Sequence, residues 1–160
     1  MNIENIKEIM DGFELGELFP KIESVLDLVV PAARLFLLIG PFVLLALGLL
    51  YILAAPKEAN YQSGYRFYWG MGSEMAWQFT QKLAGCVYAL AGMTLVVTFA
   101  LLGRGLAEME LMQLLLKTCV YIAIQAVVAW GIKRLINLVV ILRYDRKGNR
   151  RYTWAELWRG

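Results

Sequence analysis

The sequence predicts an all-α membrane protein of three transmembrane helices, preceded by acidic amphipathic N-terminal helices. Two observations carry this reading. Of the 160 residues 59% are apolar, and the mean hydropathy is +0.55; a typical soluble domain has roughly 45–50% apolar residues. The excess is also gathered into blocks: Leu35–Ala55 and Leu83–Leu102 hold no charge, and Leu111–Ile132 holds only Lys117. About 20 residues rising 1.5 Å each cross a hydrocarbon core of ~30 Å, so each block suffices by itself. A soluble bundle helix would carry a polar stripe, and these blocks do not.

Residues 1–31 form a separate acidic segment, expected outside the membrane. Seven acids (Glu4, Glu8, Asp11, Glu14, Glu17, Glu23, Asp27) stand against Lys7 and Lys21. Ile3, Ile6, Met10 and Phe13 recur at helical spacing, as do Leu18, Ile22, Val25, Leu26 and Val29 after Gly16. The pattern predicts two short amphipathic helices, broken near Gly12–Gly16 and again at Pro20. Their apolar stripes need cover. Two readings stand: an interfacial helix lying on membrane lipid and leading into the first span, or a surface for a protein partner, because acidic charge does not adhere to anionic lipid. The first span is expected to be retained, since it begins late and runs past the 7–15 residues of a signal-peptide core.

Residues 32–143 form the membrane domain, with spans near 35–55, 83–102 and 111–132. Gly40–Pro41 should kink the first span, because Pro41 has no backbone N–H to donate. Gly85, Ala89 and Gly92 make one narrow face of the second, where a neighbouring backbone can approach closely. Gln125 is expected to bond a neighbouring helix, Lys117 to snorkel to the near interface, and Thr94, Thr98 and Thr118 to bond their own backbones. No chain of intramembrane acids suggests an ion relay. The apolar pattern of the third span continues past Lys133–Arg134, so this helix should extend to about 142, roughly 12 Å beyond the interface at 1.5 Å per residue.

Orientation follows from Lys and Arg. Eleven lie in the connection 56–82 and after the third span, and four (Lys7, Lys21, Arg34, Arg104) on the opposite side. The excess marks the cytoplasmic side. The N-terminus is therefore expected outside, with loop 56–82 and the basic tail 144–160 inside. Within the tail, Tyr144–Gly148 reads as a turn and Tyr152–Trp158 as an amphipathic segment lying back on the membrane. All five tryptophans fall at or beyond this interface, where an indole suits the wet–apolar boundary.

Enzymatic function is not expected. The chain has no histidine, which removes His-based triads and imidazole metal sites, and Cys86 and Cys119 are single intramembrane residues without a CxxC pair. No phosphate loop or nucleophile elbow is present, and neither a metal nor a cofactor is expected. The basic tail reads as a topology signal, not as a direct nucleic-acid site.

The connection between the first two spans is the most informative stretch. Gly64 permits a tight turn before the aromatic run Tyr65, Phe67, Tyr68 and Trp69. Ser73 is a good helix N-cap, and Glu74 suits the positive N-terminal end of the helix that follows. Trp77 falls one turn in, and Lys82 marks entry to the bilayer. Arg66, among the aromatics, has the chemistry to pair with Glu74 and to stack on a ring. Such a stretch serves equally as an ordered loop that anchors two helices.

Gly64-Tyr65-Arg66, a short spacer, Ser73-Glu74-x-x-Trp77 and then Lys82-x-x-Gly85 resemble the signature loop of the SdpI family, bacterial membrane immunity proteins. The resemblance covers Gly64–Gly85, and its place before a span with another span following also fits. The chain departs at Phe67, where the family usually has Thr, and it lacks a second basic residue just after that turn. The resemblance implies protection against a secreted toxic peptide, possible signalling by capture of a cytoplasmic repressor protein at the membrane, and Gly64, Arg66, Ser73, Glu74 and Trp77 as the motif positions. A different reading is a non-catalytic subunit of a larger membrane complex, a transporter or secretion assembly, recruited through the N-terminal helices. A homo-oligomer is compatible with either.

Overall fold

The computed structural model describes residues 15–60 and 62–151, with side chains from residue 27 onward. The regular secondary structure over this stretch is helical, with an irregular loop after the first helix and one short hairpin turn after the third: α1 (Leu15–Leu53), α2 (Glu74–Leu102) and α3 (Leu111–Arg143), with 3-10 turns at Tyr68–Met71 and Gly103–Leu106. Three helical segments are long and apolar enough to cross a membrane: Asp27–Leu53 in α1, Glu74–Leu106 made of α2 and the 3-10 turn after it, and Leu111–Arg143, which is α3. The stripe Ile3–Phe13 and the segment Tyr152–Trp158 lie outside the described residues.

The break read at Pro20 is absent, because α1 runs through Pro20, Pro31 and Pro41 as one helix. A proline forfeits one hydrogen bond and crowds the carbonyl four residues back, which bends a helix more readily than it ends one. No glycine or turn residue follows Pro20 to terminate the helix, and the leucine- and valine-rich run beyond it continues the helical pattern.

Glycines bring α1 and α2 into contact. A Cβ on Gly48 would lie within 2.7 Å of Ala89 Cα, one on Gly92 within 2.8 Å of Leu45 Cα, and one on Gly85 within 3.0 Å of the Gly48 carbonyl. The pairs Leu45–Gly92, Gly48–Ala89 and Ile52–Gly85 run in opposite chain directions, so the helices are antiparallel and packed backbone to backbone.

α3 lies against this pair more openly. Only 11% of its most apolar window is buried, against 22% for α2, and Met112, Leu115, Leu116, Val120 and Val127 face outward to the bilayer. It is held through two apolar clusters. One joins Ala33, Leu37, Phe99, Leu106 and Leu114 at the end near the Gly103–Leu106 turn; the other joins Leu44, Tyr65, Ala84, Tyr88 and Ile136 at the loop end.

A polar contact lies between the clusters. Pro41 cannot donate to the Leu37 carbonyl, and Gln125 Nε2 of α3 donates to that same oxygen at 2.8 Å. Gly40 makes room, since a Cβ there would collide with Gln125 Oε1. The side chain of one helix thus restores the hydrogen bond that a proline removed from another. The threonine hydroxyls behave as their chemistry dictates: Thr94, Thr98 and Thr118 donate to the carbonyls of Leu90, Thr94 and Leu114. Lys117 lies exposed on α3, six residues into the helix, within reach of the headgroup layer. At the same end Arg34 donates to the Gly103 carbonyl (2.9 Å) and the Arg104 carbonyl (3.4 Å), placing a cation on the negative end of α2.

Candidate functional site: the platform at the loop end

Residues 54–73, the first turns of α2, the far end of α3 and the turn 144–150 meet at one end of the bundle. The organising side chains belong to α2. Trp77 is fully buried, and its Nε1 donates to the Pro56 carbonyl at 2.8 Å. One turn on, Gln81 is 2% exposed; its Oε1 accepts from the Tyr65 N–H (2.7 Å) and its Nε2 donates to the Tyr65 carbonyl (2.9 Å). A side-chain amide thus satisfies both backbone groups of one loop residue, as a neighbouring strand would. Trp77 and Gln81 together grip the loop at Pro56 and Tyr65.

Gly64 precedes that grip with φ 94°, a left-handed conformation that favours glycine. A Cβ there would also approach Trp77 and Gln81 to 2.9 Å. Asn60 starts the turn by accepting from the N–H groups of Gln62 and Ser63.

Tyr65 is the loop's anchor in the core. Its ring meets those of Tyr51 and Tyr88 with centroids 5.9 and 6.0 Å away. Its hydroxyl donates to Asn137 Oδ1 at 2.7 Å, which ties the loop to the overhang of α3. Burial, assisted by the neighbouring Tyr88 and Tyr51 hydroxyls, pushes its pKa well above the ordinary tyrosine value, so the hydroxyl stays a proton donor.

Ser73 caps α2, its Oγ accepting from the Ala76 N–H at 3.2 Å. The same hydroxyl donates to the Gly148 carbonyl at 2.7 Å, clasping the tail to the cap. Gly148 has φ 78°, and a Cβ there would meet the backbone of Gly72 and Ser73. The turn is built on Asp145, whose carboxylate accepts from the N–H groups of Lys147 and Asn149 and from the Asn149 side chain. These bonds, those of Asn149 foremost, hold the Asp145 carboxyl below its usual pKa, with Arg151 assisting. Tyr144 bridges to Arg150 and its ring packs on Phe79.

Cations crowd this end. Arg143 lies over Phe79 at 4.5 Å, Arg146 and Arg151 flank Trp69 at 5.5 and 5.4 Å, and Arg134 lies over Trp130 at 5.1 Å. Arg66 is exposed and borders two grooves, with Arg146 in one and with Lys133 and Arg134 in the other.

Of the residues singled out in the sequence, Gly64, Tyr65, Ser73 and Trp77 meet in this construction. Glu74 stands exposed in the first turn of α2 and accepts from Gln78 Nε2 at 2.9 Å. Lys82 lines a groove of about 250 Å³ beside Tyr51, Lys57 and Gln81, while Gly85 belongs to the α1–α2 contact. Sequence reasoning missed Gln81, Asn137 and Gly148. Gln81 carried a signal: it lies four residues after Trp77 on the buried stripe Trp77–Gln81–Ala84, a polar side chain where the helix needs none.

The family model of the SdpI/YfhL protein family matches residues 56–136, just over half of the chain. The chain belongs to this family. No curated protein and no solved structure matches it. The SdpI/YfhL match opens at Pro56, whose carbonyl Trp77 holds, and closes at Ile136, beside the Asn137 that receives Tyr65. It takes in the loop, all of α2 and most of α3, and the protein is a multi-pass membrane protein of that family.

Proposed function

We propose that this chain is an SdpI-like immunity protein of the bacterial cell membrane. It protects the cell against a secreted toxic peptide, with the loop platform facing the cytoplasm and the N-terminus outside. Membership of the SdpI/YfhL family is the observation that carries this reading. The eleven-to-four partition of Lys and Arg supports the orientation. Arg66, exposed on the loop that Trp77 and Gln81 bind, and Glu74, exposed in the first turn of α2, are the surface groups offered to a toxin peptide or to a cytoplasmic repressor protein.

The test is survival of a toxin-sensitive host expressing the wild type, Arg66→Ala or Glu74→Ala, with membrane content measured in parallel. Protection should be lost in both variants at unchanged membrane content; full protection by both would sink the proposal. Orientation is read separately. In a Cys86→Ser/Cys119→Ser background, Lys147→Cys should react with an impermeant maleimide only after the cells are opened, and labelling of intact cells would reverse the topology.

A further inference from the structure

Between the loop and the far part of α3 lies a groove of about 360 Å³, lined among others by Arg66, Tyr68, Trp130, Lys133, Arg134 and Asn137. Three of these are cations, and no acid is among the described residues that line the groove. A second groove of about 440 Å³ shares Arg66 and Tyr68 and adds Arg146, so the basic wall continues toward the tail.

Trp130 sets the depth. It is 61% exposed and ends the apolar stretch of α3 just before Lys133, and tryptophan concentrates where hydrocarbon gives way to headgroups. On the same flank, three, four and seven residues toward the membrane centre, Val127, Ala126 and Ala123 are all exposed. These small side chains leave a shallow apolar track leading down from the cationic groove.

We infer that this groove binds the phosphate-bearing headgroup of an anionic phospholipid, with one acyl chain along the Ala123–Val127 flank of α3. Lys133 supplies a compact ammonium. Arg134 is held beside the groove by its stacking on Trp130. The Oδ1 of Asn137 already accepts from Tyr65, which leaves its amide N–H groups as donors for a phosphate oxygen. A basic recess at the interface, between the loop and a membrane-spanning helix, has the chemistry that anionic headgroups require. A free phosphate ion would use the same cations but neither Trp130 nor the apolar track, so the geometry favours the lipid. The inference holds whichever way the protein faces and does not depend on the immunity reading.

The test uses the full chain reconstituted in an equimolar mixture of phosphatidylglycerol and phosphatidylcholine, with the lipid retained on the protein quantified by native mass spectrometry. Phosphatidylglycerol should be enriched on the wild type. Lys133→Gln/Arg134→Gln should reduce that enrichment about tenfold or more, while Lys133→Arg/Arg134→Lys should retain it and Arg104→Gln, at the opposite end, should leave it unchanged. Equal enrichment in the Gln double variant would overturn the inference. So would displacement of the lipid by excess inorganic phosphate, which would mark an ion site instead.

Discussion

Gln125 performs a task that belongs to the backbone elsewhere in α1, and that makes its contribution separable. Replacing it with Leu leaves the Leu37 carbonyl inside the bilayer with no donor, because Pro41 has none to offer. Interhelical hydrogen bonds in membranes are worth about 0.6–1.7 kcal/mol, so Gln125→Leu should destabilise the bundle by that order. Pro41→Ala restores an N–H aimed at the same oxygen, so the cost of Gln125→Leu should shrink in a Pro41→Ala background. A thermodynamic cycle on unfolding in detergent measures this; an unchanged cost would mean that Gln125 acts through packing alone. Gln81 poses the same question at the loop. Gln81→Leu strands both the N–H and the carbonyl of Tyr65, at about 1–3 kcal/mol for each buried group left unpaired. The loop should loosen while the spans persist, visible as faster hydrogen exchange over 62–72 with helix content unchanged. At this scale the sequence was half legible. A bond from Gln125 to another helix follows from the cost of a bare amide in hydrocarbon. Its target follows only from which carbonyl Pro41 had orphaned and which helix lay opposite.

Among the helices, the glycines divide into two kinds that look alike in sequence. Gly48, Gly85 and Gly92 sit where a Cβ would strike the opposing backbone, whereas a Cβ on Gly131 would meet nothing within 4 Å. Gly92→Val should therefore push α1 from α2 and cost about 1–3 kcal/mol by overpacking. Gly131→Ala should be neutral or stabilising, up to roughly 1 kcal/mol from helix propensity. Thermal unfolding of the two variants decides this, and comparable losses in both would remove the argument for a close α1–α2 contact. The turn 144–150 makes a pH prediction. Folding lowers the Asp145 pKa, so the stabilisation is complete above the unfolded carboxyl value of about 3.9 and is lost as pH falls through the lower folded value. A carbon-13 titration of this carboxyl should show a midpoint below the ordinary one, and Asn149→Ala should move it upward. Lengths and composition made the three spans legible because the bilayer dictates both. Pro20 misled because a local breaker was weighed without the long helix that continues beyond it to Leu53.

For the molecule as a whole, two tightly joined helices and a more open third describe how stability is distributed. α1 and α2 share a backbone-close seam; α3 is fastened at its two ends by apolar clusters and between them by Gln125. Native-state hydrogen exchange should rank accordingly, with amides along the α1–α2 seam opening last and the outward flank of α3 earlier. The motif residues were legible one at a time, since a capping Ser73 and a buried Trp77 announce themselves locally. The platform they build was not, because its fastenings join residues far apart in the chain: Tyr65 to Asn137 across 72 positions and Ser73 to Gly148 across 75.

Those separations put the platform on a clock. Synthesis adds about 5–20 residues per second, so Asn137 leaves the ribosome roughly 4–15 s after Tyr65. During that interval α1 and α2 can enter the membrane and close their seam, while the loop between them still waits for its fasteners. A nascent chain that stalls before Gly148 lacks the clasp on Ser73, and one that stalls before Asn137 also leaves the Tyr65 hydroxyl without that acceptor. The assembled loop surface therefore forms only after α3 and the turn 144–150 beyond it have been made.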